Sequence, residues 1–288
     1  MAARTSDNAI GVRRLGFGVS GPHGTPLVHP NTTFNMIYHA FDRGVRLFDT
    51  GPSYGAGEAE RRLGEAMRRL PRLECIISTK VGITSAGLAR RIRDFSPEGI
   101  RKSVENSLRR LGMKRIDWLF LHGPAPHEIT DKLIKTLDDL KRKGDIALTG
   151  IAGRGQELDV ALGTGQFTLF MLPVHAALKS HEFERLGKLK ASGVEIIGIE
   201  TLSPALPRFP APVTAGATWR LARALTKPFG QSTVTPMGPE ECLLWALREG
   251  GAHRVVTTTT RPEHLESNIY AVTTPSTGRL IAGPSSLS

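Results

Sequence analysis

Two cysteines in 288 residues exclude a scaffold built on disulfides. Cys75 and Cys242 each lie in apolar surroundings with no neighbouring thiol, so both are expected to be buried and reduced. Aromatic residues are scarce, at 6% of the chain. No aromatic-studded basic strip of the kind that stacks on bases is present, which argues against a nucleic-acid partner despite a formal net charge of +11. The arginines fall in doublets on helix-like stretches (Arg61-Arg62, Arg68-Arg69, Arg90-Arg91, Arg109-Arg110). They read as solvated faces, and the field they create is expected to steer an anionic ligand modestly. No apolar run approaches the roughly 18 residues of a membrane span. Met1 to Asp7 lack the apolar core of a signal peptide. A cytoplasmic protein with no membrane partner is the expectation. A G-x-G-x-x-G turn is also missing, and an open, doubly wound nucleotide-binding sheet would usually announce one after its first strand.

What is present is alternation. Eight short apolar runs recur around Leu15–Val19, Val45–Phe48, Cys75–Thr79, Ile116–Leu121, Ile146–Ile151, Phe167–Leu172, Val194–Ile199 and Arg254–Thr258. Most are near-continuously apolar, as strands covered on both faces should be. Helical periodicity separates them: Ala59, Leu63, Ala66, Met67 and Leu70 share a face, as do Ile100, Val104, Leu108 and Leu111 after the cap-and-proline pair Ser96-Pro97. Leu133, Ile134, Leu137 and Leu140 follow Thr130, and Gly144 is expected to end that helix. Eight strands alternating with helices predict an α/β fold, a (β/α)8 TIM barrel, as a single catalytic domain over residues 1–274. The proline-rich stretch from Ser203 to Pro236 is expected to lie as a long loop over the mouth. Residues 275–288 are Ser/Gly-rich and expected to be a disordered tail.

Three of the predicted strands stop at a titratable residue. Val45-Arg46-Leu47-Phe48 runs into Asp49, Cys75 to Thr79 runs into Lys80, and Trp118 to Leu121 runs into His122; Tyr54 follows the first by a short turn. In a parallel barrel, side chains at the carboxyl ends of strands converge on one pocket. Any one of the four alone is compatible with packing or capping, but all four together read as a proton-transfer site with no metal. A carbonyl reduced by hydride becomes an alkoxide that must be protonated as it forms. An unassisted phenol, with a pKa of about 10, exchanges protons poorly near neutrality, and a neighbouring ammonium favours the phenolate. The expected roles are therefore Tyr54 as general acid or base, Lys80 as its tuning charge, Asp49 as the partner that holds Lys80, and His122 as a neutral donor orienting the carbonyl oxygen.

These motifs carry a resemblance over nearly the whole chain. Phe48-Asp49-Thr50, Tyr54-Gly55, Gly57, Glu60, Leu63-Gly64 and Ala66, then Lys80, Ile116-Asp117, Leu121-His122-Gly123-Pro124, and finally Thr258-Thr259-Thr260-Arg261-Pro262-Glu263-His264-Leu265-Glu266-Ser267-Asn268 resemble the aldo/keto reductase superfamily. The resemblance implies a (β/α)8 barrel that binds NADPH, or less often NADH, without a Rossmann turn, and acts on a small aldehyde, ketone or sugar. It also implies cofactor contacts at Gly18, Asp49, Thr258, Thr259, Thr260, Arg261, His264 and Asn268. Of these, the helix that starts after Arg261 offers amides and a dipole suited to phosphate. Arg261 and His264 could meet a 2′-phosphate, which favours NADPH. The sequence departs from the family at the nicotinamide end. Ala152-Gly153 stands where Ser-Asn is usual, Phe170 to Val174 holds no Gln, and Ile199-Glu200-Thr201-Leu202 holds no aromatic where a stacking ring is usual. A nucleotide-binding or regulatory barrel with little turnover is therefore the alternative expectation. Glu200, if it faced the ring, would favour oxidised nicotinamide.

Overall fold

The eight apolar runs become eight parallel strands that close on themselves. The computed structural model describes residues 11–86, 90–205 and 237–274. Its barrel strands are β1 (Leu15–Gly18), β2 (Leu47–Asp49), β3 (Ile76–Val81), β6 (Ile116–His122), β7 (Ile146–Ala152), β8 (Leu169–Pro173), β9 (Glu195–Ile199) and β10 (Arg254–Thr257). Each pairs with its neighbours in parallel, and β10 pairs with β1 to seal the cylinder. Between β3 and β6 lies a small antiparallel hairpin, β4 (Ile83–Ala86) and β5 (Arg90–Arg93). Of the loop expected from Ser203 to Pro236, Ser203–Ala205 form a short 3-10 turn, and residues 206–236 lie outside the described residues, as does the expected tail over 275–288.

The helices are α1 (Pro30–Asp42), α2 (Glu58–Met67), α3 (Pro97–Leu111), α4 (Asp131–Lys143), α5 (Gln156–Thr164), α6 (Ser180–Ser192), α7 (Pro239–Arg248) and α8 (Pro262–Thr273). Their ends obey the sequence signals. Ser96 Oγ accepts from the Gly99 amide at 3.1 Å, and Thr130 Oγ1 from the Leu133 amide at 3.2 Å, each satisfying a donor the first turn would otherwise orphan. Gly144 ends α4 in the left-handed region at φ 87°, a conformation glycine adopts without a Cβ clash.

Strand parity divides the apolar residues into two layers. Leu47, Trp118, Phe120, Leu169, Met171, Ile197 and Val256 fill the inside of the cylinder. Phe48, Ile77, Leu119, Leu121, Phe170 and Ile196 belong to the larger layer packed with the helices. The same period of two sets the facing of the polar residues near each strand end. Asp49 comes two residues after inward Leu47, Ser78 and Lys80 come two and four after inward Ile76, and His122 two after inward Phe120. All four polar side chains therefore belong to the interior set, at the carboxyl rim.

Contrary to the sequence expectation, Arg90-Arg91 is not part of a helical face. Arg90–Arg93 forms β5 and pairs with β4, Thr84 opposite Ile92 and Ser85 opposite Arg91. The alternation Arg91-Ile92-Arg93 is a strand pattern, and Gly82, at φ 91°, turns the chain out of the barrel into the hairpin.

Candidate active site

The rim where β2, β3 and β6 end gathers Asp49, Tyr54, Lys80 and His122. Lys80 Nζ donates to both carboxylate oxygens of Asp49, at 2.8 and 2.6 Å, and to the Thr50 carbonyl at 2.8 Å. Ser78 Oγ donates to the Asp49 Oδ1 at 2.7 Å. The ion pair is dry, with side-chain exposures of 3% for Lys80 and 6% for Asp49. A charge so buried persists only with a partner and full hydrogen bonding. Burial alone would pull the Lys80 ammonium down. The charge of Asp49, then the phenol of Tyr54, outweighs it, and Lys80 is held above its ordinary value.

Tyr54 reaches this pair from a short 3-10 turn, Tyr54–Gly57, that leads straight into α2. Lys80 Nζ lies 5.3 Å from the centre of the Tyr54 ring, and the His122 ring meets it edge-on at 6.3 Å between centroids. Gly51 packs closely beneath the phenol, and a Cβ there would come 3.1 Å from Tyr54 Cε2. The arrangement thus puts a half-buried phenol between an ammonium and an imidazole, with the ammonium anchored from behind by a carboxylate.

Several residues that no motif reading singled out for the site hold it in place. Thr79 points outward, opposite in parity to Lys80, and donates to Glu60 Oε1 of α2 at 2.6 Å. Glu60 also accepts from Arg110 Nε at 2.5 Å. The helix that carries the Tyr54 turn is thereby tied to the strand that carries Lys80. The hairpin pins two loops at the rim. Ser85 Oγ donates to the Ser53 carbonyl at 2.8 Å, and Arg93 Nη2 donates to the Gly123 carbonyl at 2.9 Å. The polar alternation of 83–85 and 91–93 was the available signal for the hairpin.

On the β1–β10 side, Gly18 and Thr258 close together. A Cβ on Gly18 would come 2.4 Å from Thr258 Oγ1, and Ser20 Oγ lies 2.9 Å from the same hydroxyl. Thr258, Arg261 and His264 are exposed around the start of α8, and Thr259 and Thr260 are half-buried there. Thr259 Oγ1 accepts from the Arg261 amide at 3.1 Å. Arg261 is paired with Glu263 at 2.5 Å. Asn268 turns inward and donates to Thr257 Oγ1 at 3.2 Å. The donor set of hydroxyls, guanidinium, imidazole and helix amides suits an anionic phosphate.

Glu200, after β9, bonds Arg154, after β7, and adopts φ 55°, in the left-handed region. Its carboxylate is compensated by the Arg154 guanidinium. Two clefts lie away from this rim. One of about 330 Å³ lies at the amino ends of the strands, lined by Arg13, Arg46, Leu73 and Arg254, and another of about 580 Å³ lies between α2 and α3. Neither contains any of the four rim residues.

The sequence matches the Aldo/keto reductase family over residues 14–208, well over half of the chain. The chain belongs to the aldo/keto reductase family. Among curated family relatives, the D-threo-aldose 1-dehydrogenase of a Pseudomonas species is 34% identical over 170 residues, covering 48% of this chain and 52% of the relative. The L-galactose dehydrogenase of Arabidopsis thaliana is 33% identical over 51% of this chain and 46% of the relative. The matched stretch thus spans about half the length of these relatives. The NADH-specific methylglyoxal reductase of Escherichia coli K12 is 24% identical over 91% of this chain and 90% of its own. The barrel is equally that of solved aldo-keto reductases. One from Bacillus halodurans, in its holo form, superposes with a TM-score of 0.73 at 23% identity, covering 90% of this chain and 86% of that one. One from Klebsiella pneumoniae, in complex with NADPH, gives 0.68 at 19% identity over 92% and 87%. No helix among the described residues is long and apolar enough to cross a membrane.

Proposed function

We propose that this aldo/keto reductase is an NADP(H)-dependent oxidoreductase that interconverts a small aldehyde, ketone or sugar carbonyl and its alcohol, on one catalytic domain spanning residues 1–274. The observation that carries the reading is the dry Asp49–Lys80 pair set beside Tyr54 at the rim. When bound, the cofactor supplies a hydride equivalent to the carbonyl carbon. The chain's own residues manage the proton and the alignment. His122 donates a hydrogen bond to the carbonyl oxygen and fixes its direction. Tyr54 Oη gives its proton to that oxygen as negative charge develops there, and the resulting phenolate is stabilised by the Lys80 ammonium. Asp49 and the Thr50 carbonyl keep that ammonium in place, so no solvent reorganisation is needed at the moment of transfer. In the oxidative direction the same phenolate removes the alcohol proton.

At the other end, Thr258, Thr259, Thr260, Arg261 and His264 would receive the adenosine phosphates, with Gly18 and Asp49 lining the path between and Asn268 supporting the wall behind. Arg261 would exchange Glu263 for the 2′-phosphate, which supports NADPH over NADH. The relatives' names, which include aldose and galactose dehydrogenases and a methylglyoxal reductase, support a polar carbonyl or sugar substrate.

The decisive experiment replaces Tyr54 by Phe. NADPH should still quench on binding, while turnover of a panel of aldehydes and sugars falls by about two to four decades, the range of a lost general acid. Undiminished turnover would remove Tyr54 from the mechanism. A second reading, a barrel that holds nucleotide with little turnover, is favoured by Ala152 and Gly153. Neither offers a side-chain donor beside the ring. Quenching of NADPH with no substrate-dependent oxidation would select it.

A further inference from the structure

The proposed chemistry makes no use of a fully buried histidine that lies between the two ends of the site. His23 is 0% exposed, on the short 3-10 turn Gly21–Gly24 just after β1. Its Nε2 lies 2.9 Å from the Thr259 carbonyl oxygen, and its Nδ1 lies 3.1 Å from Thr33 Oγ1. A carbonyl only accepts, so Nε2 carries the hydrogen. In the neutral ring Nδ1 then accepts from the Thr33 hydroxyl. Burial pushes the imidazole down to about 4; the Thr259 carbonyl opposes this and the Arg62 guanidinium adds to it. The ring is thus a neutral, directed donor near pH 7, with the Phe17 ring packed edge-on at 5.6 Å.

The backbone of the same turn faces the other way. Arg62 Nη1, from α2, donates to the His23 carbonyl at 2.8 Å. Gly24 is wedged against the Tyr54 turn, where an added Cβ would come 2.8 Å from both the Tyr54 carbonyl carbon and its oxygen. Gly55 answers from the other side. It sits at φ +60°, and a Cβ there would come 1.7 Å from the Gly24 oxygen. One four-residue turn therefore hydrogen-bonds the Thr259 loop through a side chain and abuts Tyr54 through its backbone, with no slack at either contact. Thr259 is itself the hub of its loop, holding the Arg261 amide through its hydroxyl.

We propose that the Gly21–Gly24 turn is a strut that couples anion occupancy of the Thr258–His264 loop to the setting of the Tyr54 turn, with His23 as its positioning residue. The strut rests on the reading of that loop as the nucleotide's phosphate site. An anion drawn onto the loop fixes the Thr259 carbonyl, the imidazole moves with it, and Gly24 passes the restraint to Tyr54 and Gly55. The proton donor is then held in register when the adenosine end is filled.

Spatial intermediacy does not establish coupling, so the test must read one end while perturbing the other. Adenosine 2′,5′-bisphosphate is a suitable probe, because it lacks the nicotinamide half and any direct route to Tyr54. Hydrogen–deuterium exchange would be monitored in two segments, Ser53–Glu58 and Thr258–Ser267. In the wild type the fragment should slow exchange several-fold in both. In His23→Leu, which keeps bulk but no donor, the fragment should bind about tenfold more weakly, as one lost buried hydrogen bond implies. At saturating fragment that variant should protect Thr258–Ser267 and leave Ser53–Glu58 unprotected. His23→Gln carries an amide donor and should restore protection of both. Gly24→Ala touches only the Tyr54 side, yet should also abolish protection at Ser53–Glu58. Protection at Ser53–Glu58 that survives in both His23→Leu and Gly24→Ala would overturn the strut, as would a wild type in which only Thr258–Ser267 is protected. A wild type that binds neither the fragment nor NADPH would instead overturn the nucleotide reading, and the strut with it.

Discussion

Lys80 is a full charge in a place with almost no water, and three carbonyl or carboxylate oxygens account for it. Removing one member of such a pair leaves the other charge buried and uncompensated. Lys80→Met should therefore cost about 3–5 kcal/mol in urea unfolding, and the double variant Lys80→Met/Asp49→Leu should recover much of that loss. A cost under about 1 kcal/mol would mean that Asp49 finds water or a proton in the variant. The pH signs of the two buried bases are opposite. Lys80 is held above its ordinary 10.5, so its contribution is complete below that pH and fades only as pH rises through the higher folded value. His23 is pushed from 6.5 to about 4, so the folded state refuses a proton that the unfolded chain accepts. The stability associated with it is complete above 6.5 and is lost as pH falls toward 4. Between pH 7 and 4.5, wild type should lose on the order of 2 to 3 kcal/mol more than His23→Gln, compared by urea midpoints at the two pH values. Equal losses would place the acid sensitivity in other groups, the carboxylates and His175, whose imidazole burial also pushes down.

Helix α2 carries the Tyr54 turn at its start and must sit close to α3. Gly64 makes that approach tolerable, because a Cβ there would come 2.5 Å from the Leu111 carbonyl oxygen and 2.7 Å from Leu111 Cα. An exposed helical Gly→Ala usually stabilises by about 0.5–1 kcal/mol. At Gly64 the sign should reverse, to a loss of about 1–3 kcal/mol from overpacking against backbone that cannot step aside. Thermal unfolding of Gly64→Ala decides this; a raised midpoint would show that α2 can slide outward freely. Gly64 was visible in the sequence only as part of a family pattern, whereas the strands were legible from their own chemistry. Leu47-Phe48-Asp49 and Phe120-Leu121-His122 state both the apolar period and its polar end, and parity turns those ends into one site. The hairpin β4–β5 was not legible in the same way. Its Arg-Ile-Arg alternation is polar enough to pass for a solvated helix, and only pairing with Ile83–Ala86 makes it a strand. The ties made by Glu60, Ser85 and His23 were equally hidden. Each depends on which atom faces which across two elements, and a one-dimensional pattern of residue types does not encode that.

At the scale of the whole molecule, alternation called for a parallel sheet with helices on both faces, and the missing glycine-rich turn of an open doubly wound sheet favoured closing it into a barrel. What the pattern leaves undetermined is the field the finished molecule projects. The formal net charge is +11. Much local charge is already paired, as at Arg110 with Glu60, Arg154 with Glu200 and Arg261 with Glu263, so the excess acts over distance more than by contact. Such a field should speed capture of a polyanion and do little to hold it once bound. The Debye length shrinks from about 30 Å at 0.01 M to about 8 Å at 0.15 M salt. Over that range the association rate of NADPH, measured by stopped-flow quenching, should fall on the order of tenfold while its dissociation rate changes far less. NADH lacks the 2′-phosphate and should show a shallower dependence. A salt effect confined to the dissociation rate would move the electrostatics from the surface as a whole to the contact itself. Arg261 and its exchange of Glu263 for phosphate would then carry the preference, and Arg261→Ala would flatten the salt dependence that the remaining net charge could not.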